Sequence, residues 1–405
     1  MFSGLKQHFC TNQNDNLNIR LIFKPLYIVL SLFGLFPYSI KFTNSKRGLT
    51  IIKKSIYINS LCSVSYLFLL WTFLALHIQY VYDSIGDTTM TREILTQANY
   101  IVELISLIIF CIAAYLCAFR NRCVYVKIIN KIANTIEPVN MHTEHAVNQL
   151  RFQVKIIMVS LLTVLLLQMS VNCSRDDSLW KMVLVFVSFL LPQMIQFTVL
   201  SFYYVLILML IVLMKDIRVH IQQLKKDRIT ALDYFVKAET KILTLQYVET
   251  LYEKAFEVKR DINKAFQAPL LITTLQCFHS IVSEAHIIYH GIVIERNFSL
   301  HPIINCSIWI IYQIIKISLI ARSGNLFKQE VIIIGQVLHK IPTEKNDIRL
   351  LLEVKIQHFS SLISCQGDEL TAYGLFSLDA ALYFSQILAS SAMYLTILVQ
   401  FDKSK

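Results

Sequence analysis

Polar and aromatic side chains recur at helical spacing inside three long apolar stretches of the sequence. Side chains three or four residues apart share one face of a helix, and a polar group inside a membrane usually faces a cavity or a partner helix. Aromatic walls with a few hydrogen-bonding groups are typical of a small-molecule pocket. The candidate ligand-binding residues are Gln193 and Gln196 in one stretch, Glu284, His286 and Tyr289 in the next, and Trp309, Tyr312 and Gln313 in the third.

The same residues have a simpler explanation, in which amides and hydroxyls pair between neighbouring helices and bind no ligand. The sequence leaves both explanations open. Two further polar residues, Glu103 and Lys316, also lie inside apolar stretches. We expect Lys316 either to reach the membrane edge with its long side chain or to pair with another polar group.

No arrangement of residues predicts catalysis or metal binding. The sequence has no glycine-rich phosphate loop, no His-Glu-x-x-His pair and no Gly-x-Ser-x-Gly nucleophile motif. His286 and His290 have no further ligand at a suitable spacing in their stretch. We therefore predict neither an enzyme nor a cofactor or metal.

The elements that carry these residues are predicted to be membrane helices. Of the 405 residues, 55% are hydrophobic and only 16% are charged, against about 25% charged in soluble domains. About 20 apolar residues cross a bilayer as a helix. Seven spans follow, and they predict an all-α polytopic membrane fold: 55–82, 99–119, 156–172, 182–214, 268–294, 303–321 and 374–401.

An eighth apolar segment, 21–42, precedes the first span within the N-terminal part, residues 1–54. It contains Pro25, Gly34 and Pro37. Because a proline inside a helix removes a hydrogen bond and clashes with the preceding turn, this segment is predicted to be interfacial or re-entrant.

The placement of basic residues predicts the orientation of the spans. Lys and Arg are abundant in 1–54, 120–155, 215–267 and 322–373 and scarce in 83–98, 173–181 and 295–302. Basic segments stay in the cytoplasm, so the N-terminus is predicted inside and the C-terminus outside, in the plasma membrane. The net charge of +11 thus indicates topology, and no nucleic-acid partner is predicted. Asn172 and Asn297 begin N-x-S motifs in predicted outer loops and are candidate glycosylation sites.

Two long cytoplasmic segments are predicted to be helical. Residues 215–267 carry apolar side chains at spacings of three and four, which predicts an amphipathic helix continuing from the fourth span. Residues 322–373 are predicted to form two helices with a break around Ile341 to Glu344, where Thr343 can cap the second helix. Their apolar faces fit packing within one chain and contact between subunits equally well.

The end of the seventh span resembles the signature of the insect gustatory receptor family. That signature is Thr-Tyr, five hydrophobic residues and Gln-Phe, and the matching residues here are Met393-Tyr394-Leu395-Thr396-Ile397-Leu398-Val399-Gln400-Phe401. Met393 stands where the family has Thr, and Thr396 makes the apolar run incomplete. Two shorter similarities lie at Gly374 to Asp379 and Phe33 to Tyr38. The resemblance extends over the whole chain because the number of spans, the length and the orientation also fit.

This resemblance implies a tetrameric, ligand-gated, non-selective cation channel, assembled from identical chains or together with other gustatory receptor subunits. The seventh span would line the pore, with Gln400 and Phe401 as constriction and gate and Thr396 and Ile397 beside them. The ligand, a small tastant, would bind among the earlier spans, and the cytoplasmic helices would anchor the four subunits. Leu395 stands where sugar-sensing members commonly have Glu, which favours a bitter-type or unassigned receptor. A metabotropic seven-span receptor and a small-molecule transporter are the alternatives.

Overall fold

A computed structural model describes residues 19–36, 39–41, 50–52, 56–83, 94–136, 144–173, 179–226, 234–294, 300–341, 347–381 and 387–403. Within these residues the chain is almost entirely helical. The first half contains α1 (Ile19–Leu32), α2 (Ile56–Asp83), α3 (Ile94–Arg120), α4 (Arg122–Ile136), α5 (Glu144–Cys173) and α6 (Leu179–Val185). A π-helical turn, Phe186–Leu190, joins α6 to α7 (Leu191–Lys226). The second half contains α8 (Tyr234–Tyr289) with a π-helical turn at His290–Ile294, α9 (Leu300–Leu338), α10 (Asp347–Cys365) and α11 (Ala389–Lys403).

Two short antiparallel strand pairs accompany the helices. Strands β1 (Ser39–Lys41) and β2 (Thr50–Ile52) pair with Ser39 opposite Ile52. Strands β3 (Thr371–Ala372) and β4 (Phe376–Ser377) form a hairpin in which Thr371 lies opposite Ser377. The predicted all-α membrane fold is confirmed, with these pairs as small additions.

Five described segments are long and apolar enough to cross a membrane, and they coincide with predicted spans one, two, four, five and six: Leu61–Tyr80, Ala98–Arg120, Leu179–Leu224, Thr240–Val293 and Pro302–Leu338. The third predicted span, 156–172, is the second half of α5. Large apolar side chains on α2 and α5, such as Phe68 and Leu162, are exposed. Exposed apolar surface on this scale indicates contact with lipid or partner chains.

Helix α7 is the centre of the bundle. It is apolar on all sides and buried along its whole membrane segment, as a helix without a polar face must be. It packs against α8, α9, α3 and α5. The polar side chains that α7 does carry, including Gln193 and Gln196, are therefore enclosed by other helices.

Helix α1 covers most of the segment that was predicted to be interfacial or re-entrant. Its 14 residues span about 21 Å, too short to cross a membrane core of about 30 Å. Pro25 lies inside the helix and is exposed, while Phe23, Leu26 and Leu30 are fully buried against α5 and α7. The chain then turns at Gly34, whose φ of +70° is the left-handed conformation that glycine adopts readily. Pro37 lies outside the described residues.

The second halves of α7 and α9, the first half of α8, and α4 and α10 form a helical extension of the bundle. Helix α8 is continuous for 56 residues, so the predicted amphipathic segment joins the fifth span without a break. The predicted break after the sixth span is also present, since α9 ends at Leu338 and α10 begins at Asp347. Phe256, Phe327 and Phe359 pack around Tyr252 in the core of this extension.

Ion pairs on the surface of the extension tie α4 to α8. Lys131 pairs with Glu257, and the Lys127 Nζ lies 3.4 Å from the Asp261 carboxylate. Asp261, and next Glu257, raise the pKa of Lys127 above its ordinary value of 10.5. This attraction is therefore fully present at neutral pH and is lost only as the pH rises through the lysine range.

A second ion pair joins α7 to α9 inside the extension, and replacing Arg218 by methionine tests its importance. Arg218 Nη1 lies 3.3 Å from the largely buried Glu330 carboxylate. Removing the counter-charge of a largely buried carboxylate is destabilising, because an uncompensated charge is left behind. We expect Arg218→Met to lower the melting temperature of the detergent-purified chain, and the double variant Arg218→Met/Glu330→Gln to recover most of the loss. Equal melting of the single and double variants would contradict this role.

The β3–β4 hairpin immediately precedes the seventh span and changes its predicted start. Residues 374–379 were predicted to be helical, but Tyr373 and Gly374 have φ values of +53° and +71°, which a helix cannot accommodate. The hairpin and the residues just after it pack against α8 and α9. Thr371 N donates to Asn263 Oδ1 of α8 at 3.2 Å, and Ala380 N donates to Asn325 Oδ1 of α9 at 3.3 Å. Residues 382–386 lie outside the described part, and α11 begins at Ala389.

Gly324 of α9 is the point of closest approach to this hairpin. A Cβ atom placed on Gly324 would lie 1.8 Å from the Leu378 carbonyl oxygen, so only glycine allows the contact. Leu378 itself is buried. Through this contact, α9 is fixed to the segment that leads into α11.

Candidate ligand-binding site

Glu103 of α3 is the first centre of a buried polar cluster. Its Oε1 accepts hydrogen bonds from Ser280 Oγ at 2.6 Å, Trp309 Nε1 at 3.2 Å and Gln276 Nε2 at 3.5 Å. Burying a carboxyl group is costly unless it is hydrogen-bonded, and donors from α8 and α9 surround this one. The carboxyl therefore holds three helices together.

Lys316 of α9 is the second centre. Its Nζ donates to three amide oxygens, Gln193 Oε1 at 2.8 Å, Gln196 Oε1 at 2.6 Å and Gln276 Oε1 at 3.3 Å, and it lies 4.7 Å from the centre of the Tyr312 ring. The side chain is fully buried, so it pairs and does not reach a membrane edge. Gln276 links the two centres because its nitrogen faces Glu103 and its oxygen faces Lys316.

An aromatic wall adjoins these two centres. The rings of Phe189 and Trp309 stack with centroids 4.7 Å apart, Trp309 lies 5.5 Å from Tyr312, and Tyr312 stacks on Phe197 at 6.0 Å. Offset stacks at such distances stabilise aromatic pairs. The Tyr312 hydroxyl also donates to the Gln193 carbonyl oxygen at 3.1 Å, which fixes α9 against the start of α7.

The wall continues into α2 and α3. Tyr100 stacks on Phe189 with centroids 6.0 Å apart, and its hydroxyl lies 3.1 Å from His77 Nε2. The other ring nitrogen of His77 hydrogen-bonds Ser188, which sits in the π-helical turn before α7. A π-helical turn presents its side chains at an altered angle and is often found at functional sites.

All of these residues lie at one end of the bundle, defined here as the connection end. There α2 leads to α3, α5 to α6, and α8 to α9, through residues 84–93, 174–178 and 295–299. The cluster occupies the early parts of α3, α7 and α9 and the late parts of α2 and α8. These connections are the loops that the charge pattern predicts to be external.

The structure brings together five of the eight predicted ligand-binding residues: Gln193, Gln196, Trp309, Tyr312 and Gln313. Glu284, His286 and Tyr289 lie further along α8 than Ser280. Glu284 borders the cluster, because its carboxyl interacts electrostatically with Glu103. Glu284 and Tyr289 are half-buried. His286 is fully buried, and its ring centroid lies 6.2 Å from that of His290.

Sequence reasoning missed the residues that connect the cluster. Glu103 and Lys316 were noted as polar but not assigned to the site, and Gln276, Ser280, Cys277 and Thr273 were not singled out. Thr273 accepts a hydrogen bond from Gln196 Nε2 at 3.2 Å, and Cys277 Sγ lies 3.3 Å from Gln313 Oε1. The signal that predicts them is a stripe of polar side chains on the fifth span at spacings of three and four, Thr273, Gln276, Ser280 and Ser283.

The predicted pore residues lie on a helix with a largely uncovered surface. On α11, Thr396, Ile397 and Gln400 are exposed, and the Thr396 hydroxyl donates to the Ala392 carbonyl oxygen at 2.8 Å. Phe401 continues the helix. The helix packs against α8, where the Phe278 and Tyr394 rings lie 6.3 Å apart.

One of the two predicted glycosylation sites lies among the described residues. Asn172 belongs to the last turn of α5, at the end of the predicted third span. Asn297 lies outside the described residues. In the described ranges, no group of three His, Cys, Asp or Glu side chains is placed to hold a metal ion.

The cluster offers groups that can bind a small molecule. It combines hydrogen-bonding amides, the ammonium of Lys316, the carboxyl of Glu103 and stacked rings. These are the features by which a closed apolar pocket recognises a small molecule.

Comparisons with known proteins identify the family. The model of the family described as "7tm Chemosensory receptor" matches residues 23–405. Two similar solved structures are those of the insect olfactory receptor OR5 from Machilis hrabei, alone and in complex with eugenol. For both structures the TM-score is 0.69, and the match covers 96% of this chain and 100% of the receptor chain. The sequence identity is 12% for the structure without ligand and 11% for the eugenol complex. No curated protein matches the chain by sequence.

At that identity the two structures establish a common fold. The family model extends over nearly the whole chain, and the helices that it matches carry the buried cluster at the connection end. The chain belongs to the 7tm chemosensory receptor family.

Proposed function

We propose that this chain is a gustatory receptor subunit of the plasma membrane, which assembles as a homo- or hetero-tetramer into a non-selective cation channel opened by a small external tastant. The observation that carries the proposal is the cluster around Glu103, Lys316 and Trp309, because it joins four helices by polar contacts at the end predicted to face outside. The receptor OR5, which shares the fold, has been solved with the small molecule eugenol, which supports a small-molecule ligand here.

In this proposal, binding at the cluster is transmitted to α11 through α9. Trp309, Tyr312 and Lys316 lie on the same helix as Gly324, which contacts the hairpin that leads into α11. A ligand that separates α9 from α7 or α3 therefore also displaces the start of the proposed pore helix. A bound molecule can shift such an equilibrium only by its difference in affinity for the two states.

In the proposed pore, Phe401 closes the conduction path and Gln400 or Thr396 lines it when open. The exposed face of α11, with Ile397 about half exposed, supports a surface that other subunits or the pore cover. A ring of apolar side chains excludes hydrated ions by dewetting. The amphipathic segments 234–267 and 347–365 would hold the subunits together on the cytoplasmic side.

The proposal is tested by whole-cell current recording from cells that express the chain, against a panel of bitter compounds and sugars. We expect a ligand-evoked current that persists when G-protein signalling is blocked and reverses near zero in physiological solutions. Current that disappears with the block would indicate a metabotropic receptor. Flux that requires a coupled ion gradient, without channel current, would indicate a transporter.

A further inference from the structure

The buried cluster contains two amide nitrogens that donate a hydrogen bond to no described residue. The side chains of Gln193 and Gln313 are fully buried, and neither Gln193 Nε2 nor Gln313 Nε2 has a hydrogen-bond partner. Each nitrogen belongs to an amide whose oxygen is already used, by Lys316 for Gln193 and by Cys277 for Gln313. A buried donor without an acceptor costs about 1–3 kcal/mol, so these two amide nitrogens can each donate to an oxygen of a bound ligand.

The orientation of the Gln193 amide is fixed by charge. Lys316 Nζ has only donors and lies 2.8 Å from Gln193 Oε1. Turning the amide over would point its N–H groups at an ammonium, so the nitrogen must face away from Lys316. No buried oxygen on the described side chains of the cluster lacks a partner. The site therefore offers donors and no free acceptor.

The charged groups and aromatic rings of the cluster restrict the chemical class of the ligand further. The carboxyl of Glu103 and the ammonium of Lys316 are joined through Gln276, and the carboxyl of Glu284 lies within electrostatic range of Glu103. A charged ligand would add an uncompensated charge to a buried site, which is costly, and a cation would also meet Lys316. The adjoining stack of Phe189, Trp309 and Tyr312 presents flat aromatic faces, which favour a flat ring.

From these observations we infer that the site selects a neutral, flat aromatic compound bearing a carbonyl or ester oxygen, which accepts hydrogen bonds from Gln193 and Gln313. This inference rests on the proposed ligand site and specifies the chemical class that the site takes. The ring packs on the aromatic wall, and the oxygen satisfies the two amide donors that the protein leaves open.

The test compares three probes of similar size on the detergent-purified full chain by isothermal titration. These are methyl benzoate, which has an ester oxygen, ethylbenzene, which has no acceptor, and benzylamine, which is cationic at neutral pH. Two hydrogen bonds together contribute roughly 1–3 kcal/mol, so we expect methyl benzoate to bind about 5- to 150-fold more tightly than ethylbenzene. Benzylamine is expected to bind most weakly of the three.

The variants Gln313→Met and Gln193→Met remove the donors while keeping the side-chain length. We expect each to lower the ratio between methyl benzoate and ethylbenzene by the roughly 2- to 12-fold that one hydrogen bond contributes, with the ethylbenzene affinity unchanged. Gln313→Met is the decisive variant because Gln193 also supports Lys316. Gln336→Met is the control, since Gln336 is exposed near the other end of the same helix, and it should keep the wild-type ratio.

Three results would overturn the inference: a wild-type ratio of one, a ratio that Gln313→Met leaves unchanged, or tighter binding of benzylamine. The second would mean that water already satisfies the amides. Absence of binding by all three probes would overturn it as well. The measured quantity is binding and not current. Tighter binding of methyl benzoate than of ethylbenzene without channel current would therefore refute only the proposed channel. Channel current with equal affinities for the two probes would refute only this inference.

Discussion

Replacing Gly324 by alanine is expected to abolish the folded chain or to reduce its yield severely. The added Cβ would lie 1.8 Å from the Leu378 carbonyl oxygen and 2.8 Å from its carbonyl carbon. Both are backbone atoms, so no side-chain rotation relieves the clash. The hairpin would have to leave α9, which breaks the Ala380–Asn325 hydrogen bond and exposes the buried Leu378. Overpacking of this kind costs about 1–3 kcal/mol or more.

The matched control for this prediction is Gly335→Ala on the same helix. A Cβ on Gly335 meets only Ile363 Cγ2, at an ordinary 4.0 Å, and alanine favours helix over glycine by about 1 kcal/mol. Size-exclusion chromatography of detergent extracts should show a normal peak for Gly335→Ala and a lost or aggregated peak for Gly324→Ala. If both variants elute like the wild type, the close contact between α9 and the hairpin is not required.

Replacing Phe401 by alanine is expected to produce a large current in the absence of ligand. In the proposed channel, the closed state depends on a large apolar side chain at the end of α11 to exclude water and ions. Losing about 1.4 kcal/mol from the closed state alone raises the ratio of open to closed channels about tenfold. The measurement is the basal whole-cell current, normalised to surface expression.

The control for the gate prediction is Phe68→Ala, because Phe68 is exposed on α2, far along the chain from the proposed pore. This variant should keep the wild-type basal current. A Phe401→Ala channel with wild-type basal current and unchanged ligand response would remove Phe401 from the gate.

The helices were predictable from the sequence because their apolar length is a local property. Five spans and the break after the sixth span follow from residue spacing alone. The amphipathic helix was predicted to continue from the fourth span, but residues 234–267 are continuous with the fifth span. The hairpin before α11 was not predicted, because its apolar residues continue those of the seventh span. It depends on the positive φ at Tyr373 and Gly374 and on the closeness of Gly324, a contact between residues more than fifty positions apart.

The sequence predicted which side chains of the candidate site share a helix face, but not which residues of other helices they contact. Helical spacing correctly grouped Trp309, Tyr312 and Gln313 on one side of α9. It could not show that Lys316, one turn further on, meets amides from both α7 and α8, since those contacts depend on which helices are neighbours in three dimensions. His286 and Tyr289 lie beyond Ser280 on α8, and spacing within one helix likewise could not show which of its turns meets the cluster.

We propose that this chain itself forms a cation pore opened by a small molecule. The decisive experiment reconstitutes the purified chain into planar lipid bilayers, without any other protein, and adds the compound that evokes the largest response in cells. We expect discrete channel openings that increase with ligand concentration and reverse where the cation gradient dictates. Ligand binding to the same preparation without any conductance, or conductance that follows the anion gradient, would contradict it.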